Sequence, residues 1–416
     1  MICSGAANPG SFTKNVMLVF AGTFFGSFLN LLYQLIIAHH LSAVDFASFN
    51  SLIAIFMMFS APIGTVQAAV AKYTSEFSAK NETEKIKVLI SCLFKKALIL
   101  GLITLVVFYF LGIFAINRLH IQSNTSAYTL ALMLAFCWLI PVFSGGMQGL
   151  ELFKWFIFVG ISGSMLKLIF TFVFLNLGFN VPGALAAFLF SLVITFIFSF
   201  IPLRREVDLG IANNCIKFNE LFLYLIPVMI SNFCYLNLVS FDMVLVKYFF
   251  SPQESGIYSL GQMVGKIFLF LPGAISIAMF PRVSYLNARN SCTRSTLKQS
   301  LIYGFILSAA AIAVYNLMPG FILKILTGKS SADAVALGRV FSFSMSFFAL
   351  LFIFISYFLS LKDFRFLKYI IFFTLFQIFE ISIFHPTIFK VQFMVLFNAI
   401  SLFIIHALLA RRVVKQ

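Results

Sequence analysis

Four ionisable side chains lie within long apolar stretches of this 416-residue chain. They are Lys167, Asp242, Lys266 and Glu380. A charge at the centre of a bilayer costs roughly 2.5–3.5 kcal/mol on insertion scales, so a chain keeps one where it faces a partner or a water-filled cavity. Ammonium groups bind anions, and buried carboxylates bind protons or cations. These residues are therefore the first candidates for a site inside a membrane.

Two of the four charges fall on one predicted helical hairpin, 221–281, with a short turn at 251–256. Asp242 is on its first helix and Lys266 on its second. At 1.5 Å rise per residue the two differ in depth by roughly 8 Å. The hairpin is interpreted as half the wall of a central cavity, and a structural ion pair between the two residues is the alternative.

Uncharged polar residues recur on the same helix faces as these charges, at intervals of three and four residues. At this depth they need protein or water partners, either as the lining of a cavity or as hydrogen-bonded contacts between helices. The predicted substrate-binding residues are Lys167, Lys266, Gln34, Asn30, Gln262, Gln377 and Tyr235. The predicted ion-coupling residues are Asp242 and Glu380. No metal site or cofactor is predicted.

The composition predicts an all-α polytopic membrane protein. Hydrophobic residues make up 61% of the chain and charged residues 10%, against about 25% charged in a soluble domain. The net charge of +16 could suit nucleic acid, but 21 of the 29 Lys and Arg fall on one side of the predicted spans and six on the other. The positive-inside rule then places both termini in the cytoplasm, so no nucleic-acid partner is needed.

Twelve apolar spans of about 20 residues are predicted. They divide into a six-helix lobe over 1–203, a cytoplasmic linker over 204–216 and a second six-helix lobe over 217–416. The polar segment 72–96 is predicted to be a cytoplasmic loop that can contain an interfacial amphipathic helix around 82–94, and 321–338 is predicted to be the longest outside loop. Four prolines within spans are predicted to bend their helices. They are Pro62, Pro141, Pro227 and Pro272.

The two halves of the sequence repeat at an offset of about 209 residues. Residues 41–49 align with 250–258, Pro62 aligns near Pro272, and 153–154 aligns with 364–365. Because each half has six spans, both halves run in the same direction through the membrane. This pattern indicates a parallel repeat about an axis along the membrane normal, which is a known transporter architecture.

Three stretches resemble the family of polysaccharide biosynthesis membrane proteins. The stretch LSAVDFASFN at 41–50, followed by VAKY at 70–73, resembles the family's opening. FDMVLVKYF at 241–249, SGIY at 255–258 and FPRVS at 280–284 are similar to its seventh and eighth spans. GMQGL at 146–150, with Phe153, follows the fourth span. The chain departs from the family at His39 and His40, where many relatives carry an arginine.

This resemblance implies a flippase of the bacterial cytoplasmic membrane with a V-shaped fold like that of multidrug and toxic compound extrusion transporters. Its substrate would be a lipid-linked (undecaprenyl-diphosphate) oligosaccharide for O-antigen, capsule or exopolysaccharide. The two lobes would rock by alternating access around a cationic cavity in which Lys167 and Lys266 hold the diphosphate. The implied partners are a coupling proton or sodium ion, membrane lipids and a polysaccharide polymerase complex.

Two alternatives stay open at this point, and a third is disfavoured. A multidrug or cation antiporter of the same superfamily should have an acidic or neutral aromatic cavity, which two lysines disfavour. A lipid II-type flippase usually has fourteen spans rather than twelve. A membrane enzyme needs concentrated acid–base or metal-binding residues outside the bilayer. The sequence has no DxD or HExxH motif and no large external loop, so the chain is predicted not to be an enzyme.

Overall fold

The computed structural model describes residues 9–118, 121, 123–207, 219–289 and 292–413, and every regular element among them is helical. The helices are α1 (Pro9–His40), α2 (Ala43–Ala79), α3 (Thr83–Arg118), α4 (Asn124–Cys137), α5 (Ile140–Gly149), α6 (Phe153–Asn176), α7 (Asn180–Phe200), α8 (Asn219–Phe249), α9 (Pro252–Ala288), α10 (Arg294–Leu317), α11 (Pro319–Thr327), α12 (Ala332–Ser360), α13 (Leu367–Ile383) and α14 (Ile388–Val413). A short 3-10 helix, Ile201–Glu206, follows α7.

The twelve predicted spans all fall on these helices, the fourth on the broken pair α4 and α5. Pro141 is in the first turn of α5, directly after the break. Proline is tolerated at this position because the backbone N–H that it lacks would have no partner within the helix. Helix α8 continues without a break through Pro227. Nine helical segments of the described chain are long and apolar enough to cross a membrane. The chain is therefore a multi-pass membrane protein.

Two predicted loops are wrong in extent. Segment 72–96 is mostly helical: α2 continues to Ala79, and the helix predicted around 82–94 is the start of α3 at Thr83. Asn81 lies between them in the left-handed conformation (φ 57°). Asparagine tolerates this conformation better than most residues, which permits so tight a turn. The outside segment 321–338 contains most of α11, which ends at Thr327 and is capped by Gly328 (φ 69°), and the start of α12. The turn of the hairpin is also shorter than predicted, because α9 begins at Pro252.

The internal repeat extends to individual turns and caps. Ser42 accepts a hydrogen bond from the backbone N–H of Asp45 (3.1 Å), and Ser251 accepts one from that of Glu254 (3.3 Å). Each serine hydroxyl also donates to the carboxylate of the same acidic residue at 2.7 Å. These contacts satisfy N–H groups that a helix start leaves without partners. The two caps lie 209 residues apart, at the offset found in the sequence.

The described helices divide into two compact units. Unit 1 contains α1, the second half of α2 and α3–α7, and its core is rich in phenylalanine, with Phe94, Phe143, Phe196 and Phe200 in mutual ring contact. Unit 2 contains the first half of α2 (Leu41–Ala61) and α8–α14. Residues 208–216 of the predicted linker lie outside the described residues, and the two-lobe boundary stays a prediction.

Close approach of α9 to α12 sets the geometry of unit 2. Gly261 and Gly265 are one turn apart on α9 and face α12. A Cβ atom at Gly261 would lie 2.9 Å from the Cβ of Leu337, and one at Gly265 would lie 2.9 Å from the Cγ of Met345. Small residues at this spacing let helix backbones approach closely in membranes. The contact fixes the part of α9 that carries Gln262 and Lys266.

Candidate functional site

Asp242 lies at the centre of a buried hydrogen-bond network in unit 2. Its carboxylate accepts a 2.6 Å hydrogen bond from the hydroxyl of Tyr258 and bonds of 3.1 and 3.3 Å from the amide of Gln262. Asp242 and Tyr258 are fully buried, and Gln262 is 1% exposed. A buried carboxylate is stabilised by such donors, because they replace the water that it has lost. Two neighbouring helices, α8 and α9, thus supply the charge and its donors.

The network continues from Tyr258 to two further helices. The Tyr258 oxygen lies 3.1 Å from Oε1 of Gln392 on α14, and the amide of Gln392 donates to the hydroxyl of Ser344 on α12 at 2.6 Å. Tyr258, Gln392 and Ser344 are all fully buried. The sequence alone did not single out these three residues. Each is one of several polar residues on its helix, and only the packing of α9, α12 and α14 shows which of these residues meet.

Lys266 is half-buried, one turn beyond Gln262 on α9. Its ammonium donates to Oδ1 of Asn50 at 3.2 Å, and the Asn50 amide donates to the hydroxyl of Ser259 at 2.9 Å. Lys266 and Asp242 interact electrostatically, but no direct ion pair joins them in the described part of the chain. Asn50, also missed by the sequence analysis, belongs to the half of α2 that packs in unit 2. The Asn50 side chain thus places an amide oxygen beside the Lys266 ammonium group.

Unit 1 encloses a separate cation. Lys167 on α6 is 9% exposed, and its ammonium donates to Oδ1 of Asn30 on α1. The same ammonium lies 4.3 Å from the ring centroid of Tyr33 and 4.6 Å from that of Phe188. Aromatic faces attract a desolvated cation electrostatically. No carboxylate pairs with Lys167 among the described residues, so its charge is balanced only by dipoles and ring faces.

The equivalent helix pair of unit 2 makes an uncharged contact at the same place. Gln377 on α13 and Leu238 on α8 are 210 and 208 residues beyond Lys167 and Asn30. The Gln377 amide donates to the backbone oxygen of Leu238 at 3.1 Å. One turn earlier, Thr374 lies 3.4 Å from the backbone oxygen of Cys234. The two units therefore share a polar α1–α6 or α8–α13 contact, and only unit 1 places a cation in it.

The other predicted site residues are more dispersed. Glu380 is half-buried on α13 and accepts a 2.9 Å hydrogen bond from the amide of Asn398 on α14. The Tyr235 hydroxyl donates to the backbone oxygen of Phe348 on α12 at 3.3 Å. Gln34 is half-buried on α1, and no described hydrogen bond joins it to the lysine in unit 1. The structure thus brings Asp242 and its neighbours together but leaves these three in separate surroundings.

Lys247 is one of the six Lys and Arg that the sequence analysis counts on the outer side of the predicted spans. It is fully buried in the last turn of α8, and its ammonium has no hydrogen-bond partner among the described residues. Asp45 on α2 interacts with it electrostatically. A cation at a helix C-terminus is also favoured by the helix dipole. Electrostatics therefore hold this lysine without a direct partner.

These arrangements permit ion binding and proton exchange. The part of the chain that the structure describes has no group of three or more His, Cys, Asp or Glu that could hold a metal ion. Unit 1 offers a cation with an amide, and unit 2 offers a carboxylate, a phenol and amides. Charged and amide groups buried in apolar helices are typical of transport pathways rather than of hydrolytic sites.

The fold is that of transporters of the MOP superfamily. An inward-facing multidrug resistance MATE family transporter matches with a TM-score of 0.80 at 16% identity, over 94% of each chain. The lipid II flippase MurJ, in an inward closed conformation, matches with a TM-score of 0.73 at 15% identity, over 95% of this chain and 87% of MurJ. A similarity at this identity establishes the shared fold.

The chain belongs to the polysaccharide biosynthesis protein family, whose model matches residues 12–287. The MatE family model also matches, over residues 227–384. A Shigella flexneri protein named "Putative O-antigen transporter" is 26% identical over 159 residues, which is 38% of each protein. The match thus spans well under two thirds of that relative. The family and its fold neighbours are transporters and flippases, not enzymes, as the sequence predicted.

Proposed function

We propose that this protein is a flippase that moves an undecaprenyl-diphosphate-linked oligosaccharide across the bacterial cytoplasmic membrane by alternating access. Family membership and the partial similarity to an O-antigen transporter support this substrate class. The observation that carries the proposal is Lys167, a lysine enclosed by apolar helices with no carboxylate partner in the described chain. The excess of basic residues on one side supports cytoplasmic termini.

In this proposal the buried Lys167 and the half-buried Lys266 bind the diphosphate. Lys167 is held by Asn30 and two ring faces, and Lys266 by Asn50. A phosphate oxygen carries negative charge and an amide oxygen does not, so a diphosphate attracts an ammonium group more strongly and can displace the amide oxygen from it. The half-buried and buried amides of Gln34, Gln262 and Gln377 would then meet sugar hydroxyls.

The network around Asp242 suits coupling to a proton. The Tyr258 hydroxyl has one proton, and two acceptors lie within reach, Asp242 at 2.6 Å and Gln392 at 3.1 Å. When Asp242 is ionised, the hydroxyl donates to it. A proton on Asp242 turns that carboxyl into a donor to the Tyr258 oxygen, which frees the hydroxyl proton for Gln392. Protonation thus transfers a hydrogen bond from α8 to α14.

Sodium is the less favoured coupling ion. Both carboxylate oxygens of Asp242 already accept N–H or O–H bonds, which a metal ion would have to displace. Glu380 is the second candidate for the coupling proton, through its bond to Asn398.

Flipping in vesicles under a pH gradient or a sodium gradient separates the two ions. The Asp242→Asn variant should lose its response to the pH gradient, and a response to sodium alone would refute proton coupling.

The substrate proposal is tested by flipping of the lipid-linked oligosaccharide in reconstituted vesicles. The double variant Lys167→Ala, Lys266→Ala should flip at least about tenfold more slowly, since each lost charge-assisted hydrogen bond is worth about 1.5–3 kcal/mol. The matched control, Lys324→Ala with Lys390→Ala, removes the same charge outside the two lysine sites. The reasoning fails if the first variant flips normally or if the control slows as much.

A multidrug antiporter is the second candidate, because the fold neighbours include a multidrug transporter. The aromatic faces around Lys167 are the feature of this chain that favours it. The two functions differ in cells. Deletion of a flippase should remove surface glycan and accumulate its lipid-linked precursor. Export of a cationic dye with unchanged surface glycan would instead identify the antiporter.

A further inference from the structure

A cavity of about 790 Å³ lies between α10, α12 and α14 of unit 2. Its wall includes Phe305 on α10, Phe354 on α12 and Phe403 on α14. Its size falls in the range of about 300–1,000 Å³ that is usual for ligand sites. The α10 wall is open to its surroundings, since Phe305 is 64% exposed on a helix long and apolar enough to span a membrane. The cavity is therefore a groove that bilayer lipid can enter from the side.

Basic side chains are the charged groups of the groove's lining. They are Arg294 and Lys298, one turn apart at the start of α10, and Arg411 near the end of α14. None of the three forms an ion pair within the described chain. The sequence has no Asp or Glu from 255 to 332 or after 380, so α10 and α14 offer no acidic partner. Three cations without an acidic partner at one end of an apolar groove favour a ligand that combines an anionic head group with an apolar chain.

The start of α10 also favours an anionic ligand. Helix N-termini favour anions, yet α10 begins with Arg294 and has no acidic residue in its first turn. The hydroxyl of the preceding residue, Thr293, does not cap the helix and instead contacts the hydroxyl of Tyr357 at 2.8 Å. A phosphate at this end would meet free backbone N–H groups as well as the basic side chains.

The length of the groove matches one leaflet of a bilayer. Arg294 and Phe305 are separated by about 16 Å along α10, and Phe403 and Arg411 by about 12 Å along α14, at 1.5 Å per residue. Half of the hydrocarbon core is about 15 Å. A ligand with its head group at the basic end therefore extends its chain roughly to the bilayer centre. A polyprenyl chain is much longer than this groove, whereas an acyl chain fits it.

We propose that this groove binds an anionic phospholipid of the leaflet on the basic side of the membrane. Its phosphate contacts Arg294, Lys298 and Arg411, and one acyl chain lies against Phe305, Phe354 and Phe403. Basic pockets between membrane helices on the cytoplasmic side are suited to anionic head groups. The site is separate from the polar network around Asp242, and the proposal does not depend on what the protein transports.

Native mass spectrometry of the full chain in detergent tests the site, with phosphatidylglycerol as the probe. Phosphatidylethanolamine with the same chains, undecaprenyl phosphate and inorganic phosphate serve as comparison ligands. The first variant is Arg294→Gln, Lys298→Gln, Arg411→Gln. Its matched control is Arg282→Gln, Lys362→Gln, Lys368→Gln, which removes the same charge elsewhere in unit 2. A second variant, Ala407→Phe, fills the groove without changing its charge.

The wild-type chain should retain one phosphatidylglycerol more tightly than phosphatidylethanolamine. The first variant should bind it roughly tenfold to hundredfold more weakly, since each basic residue near a membrane surface contributes about 1 kcal/mol. Ala407→Phe should also weaken binding, and the control should not. Equal binding of phosphatidylethanolamine, or equal losses in variant and control, would overturn the proposal. So would displacement by inorganic phosphate alone, or stronger binding of undecaprenyl phosphate.

Discussion

A double-mutant cycle on Asp242 and Tyr258 measures whether the central carboxylate is charged in the folded protein. The variants are Asp242→Asn, Tyr258→Phe and both together. Hydrogen bonds between neutral side chains in membrane proteins average about 0.6 kcal/mol in such cycles and reach about 1.7 kcal/mol. Hydrogen bonds to charged groups are worth about 1.5–3 kcal/mol. Because the bond is 2.6 Å long and both residues are fully buried, we expect a coupling energy of about 2–3 kcal/mol.

The assay is equilibrium unfolding in mixed micelles, with helicity as the signal. The matched control is the cycle Gln392→Ala with Ser344→Ala, a neutral bond of the same length in the same unit. It should give about 0.6 kcal/mol. If the Asp242–Tyr258 coupling does not exceed that of the control, the carboxylate is not held as an anion. The proposed transfer of the Tyr258 proton between two acceptors would then be wrong.

Three further predictions concern stability and use thermal unfolding in detergent. Asn50→Ala should destabilise the protein by about 1–3 kcal/mol, because it leaves Ser259 and a lysine without their partner; unchanged stability would contradict this. Lys247→Met should stabilise it by about 1–4 kcal/mol, since a buried cation without a hydrogen-bond partner is replaced by an apolar chain of similar length; a loss would show that the charge is needed. Burial raises the pKa of Asp363, but hydrogen bonds and charge from Arg365 outweigh this and leave the pKa below its ordinary value. The resulting stability is present above the ordinary carboxyl pKa and is lost as pH falls, so Asp363→Asn should flatten the acid limb of a stability profile, and an unaltered limb would refute the assignment.

Much of the fold was predictable because hydrocarbon restricts what a spanning segment can be. Apolar length alone placed all twelve predicted spans on helices, of which nine described segments are long and apolar enough to cross a membrane. The errors were at helix ends. The Lys-rich stretch 72–96 appeared to be a loop because a charged segment cannot lie in lipid, but α2 and α3 extend beyond their apolar parts. Membrane thickness sets the apolar length of a span and does not end the helix.

The candidate site was predictable by residue type and not by partner. Asp242, Gln262 and Lys266 were selected because they are polar at membrane depth, and the structure places them on adjacent turns and helices. Tyr258 and Gln392 were missed because a single polar residue near a helix start is usually interfacial. Their role depends on which helices pack together, and a sequence without an alignment does not contain that information.

In the proposed function, the internal repeat lets one scaffold separate substrate binding from ion coupling. The positions of Asn30 and Lys167 in unit 1 correspond to an apolar residue and Gln377 in unit 2, and Gln34 corresponds to Asp242. The helix pair therefore keeps its polar contact while its charge differs: a cation without a carboxylate partner in the described part of unit 1, and a carboxylate with its own donors in unit 2. If Lys167 and Asp242 served only to join helices, a neutral hydrogen bond such as that of the Gln377 amide would be enough at each position. The cost of burying each charge is better explained by two different ligands, an anionic head group for the lysine and a proton for the aspartate.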